Sequence, residues 1–87
     1  MIGLRRDHGE VDVGRYEQAY AWRSQVLPYM REGLDQLRRA RDGCHDTTME
    51  KLMLEQSIKL LREAIREAER SMTVARKIID REKKRTR

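Results

Sequence analysis

Apolar residues recur every seven positions in two stretches of this 87-residue chain, from Tyr16 to Ala40 and from Leu54 to Ile79. In each heptad, three positions fall on one side of a helical wheel, which is the spacing of a helix that packs along its length against another helix. The chain has only five glycines and one proline to interrupt these stretches. The pattern predicts an all-α fold with one helix over residues 13–41 and a second over residues 48–82.

A corner between the two helices is predicted at residues 42–47, which are D-G-C-H-D-T. We expect Gly43 to end helix one in the left-handed conformation that glycine adopts at low cost. Thr47 and Glu50 have the spacing of a capping box, which would satisfy backbone amides at the start of helix two. Asp12 is the expected N-cap of helix one.

The two helices are expected to form a long antiparallel hairpin over residues 12–82, because they have similar lengths and few residues join them. Folding the chain at the corner places Gly33 opposite Leu54. Pro28 lies inside helix one, where it removes a backbone hydrogen bond and clashes with the preceding turn. A kink is therefore predicted near residues 24–27. The heptad pattern keeps its phase across Pro28, which favours one bent helix over two separate helices.

A second group of apolar residues lies outside the heptad series, and contact between two helices cannot bury both groups. This group comprises Trp22, Val26 and Tyr29 on helix one and Met49, Leu52, Met53, Leu60 and Val74 on helix two. Exposed apolar surface of this extent is unusual on a monomer. We expect two hairpins to pair through these residues as a homodimer that forms a four-helix bundle. The alternatives are a different protein partner, or coverage of the residues by a twist of the hairpin or by the N-terminal residues.

The basic character of the chain is concentrated at its C-terminal end. Residues 81–87 carry five bases and one acid, and so account for +4 of the net charge of +5. Clustered basic side chains attract phosphates through counterion release. We therefore predict a basic tail over residues 83–87 and nucleic-acid contact through Arg81, Lys83, Lys84, Arg85 and Arg87. The alternative is that these cations only solubilise the end of helix two, where the helix dipole favours them.

The chemistry-bearing residues of the chain are too few and too dispersed to predict an enzyme. Cys44 and His45 are adjacent, whereas a zinc site needs about four converging ligands, and a nucleophile needs an oriented base in a walled pocket. A corner between two helices accounts for both residues, and it is the interpretation that we favour over metal or thiol chemistry. Arg23 occupies a position where the heptad calls for an apolar residue. It is either an anion ligand inside the bundle or, as we expect, a packed stem whose head reaches water or Glu69. No metal, cofactor or catalytic residue is predicted.

The remaining features concern the surroundings of the protein. One cysteine excludes an internal disulfide and favours a reducing compartment. No apolar run approaches the ~20 residues that a membrane span needs, and the first residues lack the apolar core of a secretion signal. Residues 1–11, with mixed charges and two glycines, predict a flexible N-terminal arm. A cytoplasmic protein without membrane contact is expected.

These features favour a non-enzymatic helical-hairpin protein, coiled-coil-like in its packing, that self-associates and contacts nucleic acid through its basic tail. The alternative is a small adaptor or inhibitor, for example a phage or mobile-element accessory protein, that binds another protein through Trp22, Val26 and Tyr29.

Overall fold

The computed structural model describes residues 12–45 and 48–85, and it folds them into two helices, α1 (Val13–Asp42) and α2 (Met49–Arg85). The ends of α1 lie within one residue of the predicted range, whereas α2 continues three residues beyond the predicted end at residue 82. The sequence predicts helix two over residues 48–82 and a basic tail over residues 83–87. In the structure Lys83, Lys84 and Arg85 instead form the last turn of α2, and residues 86 and 87 lie outside the described residues. The N-terminal arm predicted at residues 1–11 lies outside the described residues.

The two helices pack against each other in antiparallel directions. Lys83 near the end of α2 lies beside Glu17 near the start of α1, with 3.8 Å between Nζ and Oε2. A Cβ atom on Gly33 of α1 would lie 3.7 Å from Cδ2 of Leu61 of α2. The chain measures 58 × 29 × 15 Å along its principal axes. The predicted all-α hairpin is confirmed, and no strand occurs in residues 12–45 or 48–85.

Helix α1 begins where the sequence predicts it and continues across its proline. The Asp12 carboxylate accepts a hydrogen bond from the Arg15 amide at 3.2 Å, which confirms Asp12 as the N-cap. Pro28 lies inside the single helix Val13–Asp42. The prediction of one helix rather than two is therefore confirmed.

The end of α1 differs from the prediction. Gly43 has φ −87° and ψ −3°, so it is right-handed rather than left-handed. Its amide donates to the carbonyls of Arg39 and Ala40, both at 3.2 Å, and the Cys44 amide donates to the Arg41 carbonyl at 3.1 Å. These bonds tighten the last turn and satisfy the free carbonyls, so the chain leaves the helix without a left-handed residue.

The start of α2 is capped by Thr48. Its hydroxyl oxygen accepts a hydrogen bond from the Lys51 amide and donates one to the His45 carbonyl, both at 3.2 Å. This hydroxyl links the corner to the first turn of the helix. The predicted capping box requires Thr47, which lies outside the described residues.

The core is a single seam of large aliphatic side chains between the helices. Leu27 and Leu34 of α1 are buried against Ile58 and Ile65 of α2. Half-buried residues surround this cluster: Met30, Leu37, Leu61, Ala68 and Met72. The predicted pairing of Gly33 with Leu54 is wrong, since Gly33 faces Leu61, about two helical turns farther along α2. The interlocking of the seam side chains sets this register, and the length of the corner does not specify it.

Candidate interaction surfaces

Apart from Leu52, the large exposed apolar residues of the two helices lie on the same side of the hairpin. At about 100° per residue, Trp22, Val26 and Tyr29 stand about 110° from the line of Leu27 and Leu34 on α1. On α2 the corresponding residues stand about 160° from the line of Ile58 and Ile65, in the same sense. Because the right-handed helices run antiparallel, rotations in the same sense along each sequence bring the two groups to one side. We define the apolar face by its members, Trp22, Val26, Tyr29, Met49, Met53, Leu60 and Val74.

These apolar side chains remain open to solvent in the single chain. Trp22 is 66% exposed and Tyr29 is 75% exposed. Met49, Met53, Leu60 and Val74 are each more than half exposed, and Val26 is half-buried. Neither a twist of the hairpin nor the described part of the chain covers them.

A shallow groove runs between the helices on this face. One part of the groove is lined by Ala19 and Arg23 together with Trp22 and Val26. The neighbouring part is lined by the same Ala19 and Arg23 together with Val74 of α2, among others. Because both parts share Arg15, Ala19 and Arg23, the strips of α1 and α2 open onto one surface. Small side chains on the seam leave this groove between the larger residues.

Arg23 lies in the groove and does not make the expected contact with Glu69. Its side chain is half-buried, and Nη1 lies 3.5 Å from the Ala19 carbonyl, which accepts from it. Glu69 pairs instead with Arg31. The offset between the helices explains the exchange, since Glu69 lies beside residue 31 rather than residue 23.

The opposite side of the hairpin, the polar side, carries three polar contacts between the helices. Arg31 pairs with Glu69, and Lys83 pairs with Glu17. Nη1 of Arg76 donates to the Tyr20 hydroxyl at 2.9 Å, and the same guanidinium lies 5.7 Å from the centre of the Tyr20 ring. The side chains are exposed, so each contact contributes little stability by itself. Together they specify which residues of α1 and α2 lie side by side.

The structure separates the predicted nucleic-acid residues into two groups. Lys83 lies against Glu17 at 3.8 Å, and Arg85 lies against Glu82 of its own helix at 3.3 Å. Arg81 and Lys84 are exposed on the outer side of α2, away from α1. Arg87 lies outside the described residues. These residues therefore do not form one cluster.

Arg81 and Lys84 continue a row of basic residues that the sequence analysis missed. At steps of three or four residues, one line along the outer side of α2 passes through Lys59, Arg62, Arg66, Arg70, Thr73, Lys77, Arg81 and Lys84. We call this row the basic stripe. A helical wheel of residues 59–84 reveals it, whereas a search for consecutive bases finds only the C-terminal end.

The corner residues Cys44 and His45 are engaged in the turn. Cys44 is half-buried and its amide is bonded to Arg41. The His45 carbonyl accepts from Thr48. In the part of the chain that the structure describes, no group of three or more His, Cys, Asp or Glu side chains is arranged to hold a metal ion.

Comparisons with known proteins identify no relative of this chain. No family model matches this chain, and no curated protein and no solved structure matches it. A search of the described residues for membrane spans finds neither α1 nor α2 apolar enough over a sufficient length to cross a bilayer.

Proposed function

We propose that this protein is a non-enzymatic interaction protein that forms a homodimer through its apolar face and contacts nucleic acid through the basic C-terminal end of α2. The observation that carries the proposal is the exposure of six large apolar side chains on one side of the hairpin, Trp22 and Tyr29 foremost. Aromatic residues in such positions are typical anchors of protein interfaces.

The shape of the hairpin supports a second layer of helices. In the described residues it is a single layer of two helices, α1 and α2. Stable domains are built from at least two packed layers around a core. A second copy that pairs face to face supplies this layer, and the product is a four-helix bundle.

A bend in α1 belongs to the same proposal. Pro28 is exposed on the side of α1 away from the core, and its missing amide hydrogen favours a kink over residues 24–27. Such a kink curves α1 around the core of the bundle. The single cysteine is in keeping with a cytoplasmic site of action.

Dimerisation is tested with two charge insertions on the same helix. Trp22→Glu places a carboxylate on the apolar face, and Ser24→Glu places the same charge on the polar side, where Ser24 is also exposed. We expect wild type and Ser24→Glu to have twice the monomer mass of 10.4 kDa by light scattering at tens of micromolar. Trp22→Glu should be a monomer, because burying an unpaired charge opposes association.

A wild-type protein that is monomeric under these conditions contradicts the proposal. It favours the alternative, in which Trp22, Val26 and Tyr29 dock onto a different protein.

Nucleic-acid contact is tested with a generic DNA duplex. We expect wild-type binding to weaken steeply as salt is raised, because bound phosphates release counterions. Deletion of residues 81–87 removes +4 of the net charge of +5 and should abolish binding at physiological salt. Binding that is absent at low salt, or that is unchanged by the deletion, contradicts this half of the proposal.

A further inference from the structure

The basic stripe is long, straight and exposed. It comprises seven bases and Thr73, all of them exposed, and it extends from Lys59 to Lys84. At 1.5 Å per residue this distance is about 37 Å. No acidic residue occupies any of its eight positions. Glu55, Glu63 and Asp80 flank it, so the outer side of α2 keeps a net positive charge.

The stripe points away from both the seam and the apolar face. On the helical wheel of α2 it is centred about 100° from the line of Ile58 and Ile65 and about 100° from the apolar face, with Arg70 and Arg81 nearest to that face. A dimer that buries the apolar face therefore leaves most of the stripe of each copy open to solvent. Self-association and binding along the stripe are compatible.

Among the described residues, most basic side chains of the stripe form no ion pair with a neighbouring carboxylate. Arg70 pairs with Glu67 at 3.2 Å. The other six bases form no ion pair or hydrogen bond within residues 12–45 and 48–85. These six are Lys59, Arg62, Arg66, Lys77, Arg81 and Lys84. By contrast, the basic side chains at the contact between α1 and α2, Arg31, Arg76 and Lys83, each have a partner on the other helix. The basic residues between the helices are thus paired, whereas most basic residues of the stripe are unpaired in the part of the chain that the structure describes.

We infer that the basic stripe binds the phosphate backbone of a nucleic-acid duplex, independently of sequence. This inference rests on the nucleic-acid half of the proposed function and moves the contact from the chain end to the whole outer side of α2. A duplex is a rod with one negative charge per ~1.7 Å of its axis, so about 37 Å of duplex offers the stripe a continuous row of phosphates.

The composition of the stripe favours a duplex over other polyanions. Single-strand binding usually adds aromatic side chains on which bases stack, and no aromatic residue lies at the eight positions of the stripe. Insertion into a membrane surface requires large apolar side chains beside the bases. Between Lys59 and Lys84, the apolar side chains of α2 belong to the seam or to the apolar face instead.

The test compares two triple variants that lower the net charge equally, from +5 to +2. The stripe variant carries Arg62→Gln, Arg66→Gln and Lys77→Gln. The control carries Arg15→Gln, Arg38→Gln and Arg39→Gln on α1, where all three side chains are also exposed. Circular dichroism verifies that both keep their helix content, and binding to a DNA duplex is measured from 50 to 200 mM salt.

We expect the stripe variant to lose at least about tenfold in affinity at low salt. Its slope of log affinity against log salt should be shallower than that of wild type by about 2.7, since each lost phosphate contact removes about 0.9. The control should keep the wild-type slope. Equal losses in the two variants would overturn the inference, because net charge rather than its position would then govern binding.

Further outcomes separate this inference from the proposed function. One outcome is that deletion of residues 81–87 abolishes duplex binding while the stripe variant binds as the control does. In that case the inference that the stripe binds duplex is wrong, and the proposed contact at the chain end stands. If wild type fails to bind duplex even at 50 mM salt, both are wrong. Tighter binding to single-stranded DNA or to anionic lipid vesicles than to duplex overturns the choice of partner.

Discussion

At the scale of single residues, the structure shows that residue type alone does not reveal backbone conformation. Gly43 follows a helix and precedes a corner, which is the position where glycine is usually left-handed. Its φ of −87° is instead one that any residue adopts. A Cβ at Gly43 would lie 3.7 Å from the carbonyl oxygens of Ala40 and Arg39, an ordinary contact distance. Glycine is therefore not required there.

Replacement of Gly43 by alanine is consequently expected to stabilise the protein. Alanine restricts the unfolded chain more than glycine does, so the free energy of unfolding should rise by about 0.4–1 kcal/mol. The measurement is urea denaturation at a fixed protein concentration. Gly33→Ala, at an ordinary helical position with room for a Cβ beside Leu61, is the reference. A loss of about 1 kcal/mol at Gly43 alone would indicate the left-handed conformation after all.

At the scale of the elements, the two helices differ in what they present to solvent. Helix α2 carries the basic stripe on its outer side, while its charged residues near the seam pair with α1. Helix α1 carries the aromatic members of the apolar face, Trp22 and Tyr29. The bounds of both helices could be predicted to within three residues, because helix periodicity and N-caps are local signals. The stripe could have been predicted from the same periodicity, had basic residues been followed as apolar ones were.

The last turn of α2 shows where local signals were insufficient. The run of bases at residues 83–85 suggests a chain end that leaves the helix. In the structure these residues remain helical, with Lys83 beside Glu17 of α1 and Arg85 beside Glu82. The Lys83 contact joins residues far apart in sequence, and no local pattern indicates it.

At the scale of the whole molecule, one layer of two helices leaves its core open on one side. Leu27 and Ile58 are 5% and 4% exposed, but within residues 12–45 and 48–85 no second layer covers the groove beside them. Thermal stability should accordingly depend on protein concentration, since association of folded chains draws the equilibrium away from the unfolded state.

We expect the Tm to rise as the concentration is raised from micromolar to hundreds of micromolar. Leu60→Ala, on the apolar face, should flatten this dependence, because Leu60 is 65% exposed in the single chain and would be buried only in the dimer. Leu34→Ala, in the seam, should lower the Tm at every concentration, with a loss of about 2–5 kcal/mol from the cavity it leaves. A Tm that is independent of concentration for wild type argues against self-association. Differential scanning calorimetry provides the measurement.

The sequence by itself determined the two helices, their corner and the existence of apolar residues beyond those that one seam can bury. These properties follow from the 3.6-residue period and from composition, which any stretch of chain carries within itself. The tertiary structure decided that Gly33 lies beside Leu61, that the exposed strips of α1 and α2 share one side, and that the basic residues divide into paired and free ones. Each of these depends on the rotation and offset of one helix against the other. That rotation and offset are set by contacts between side chains distant in sequence, such as Tyr20 with Arg76.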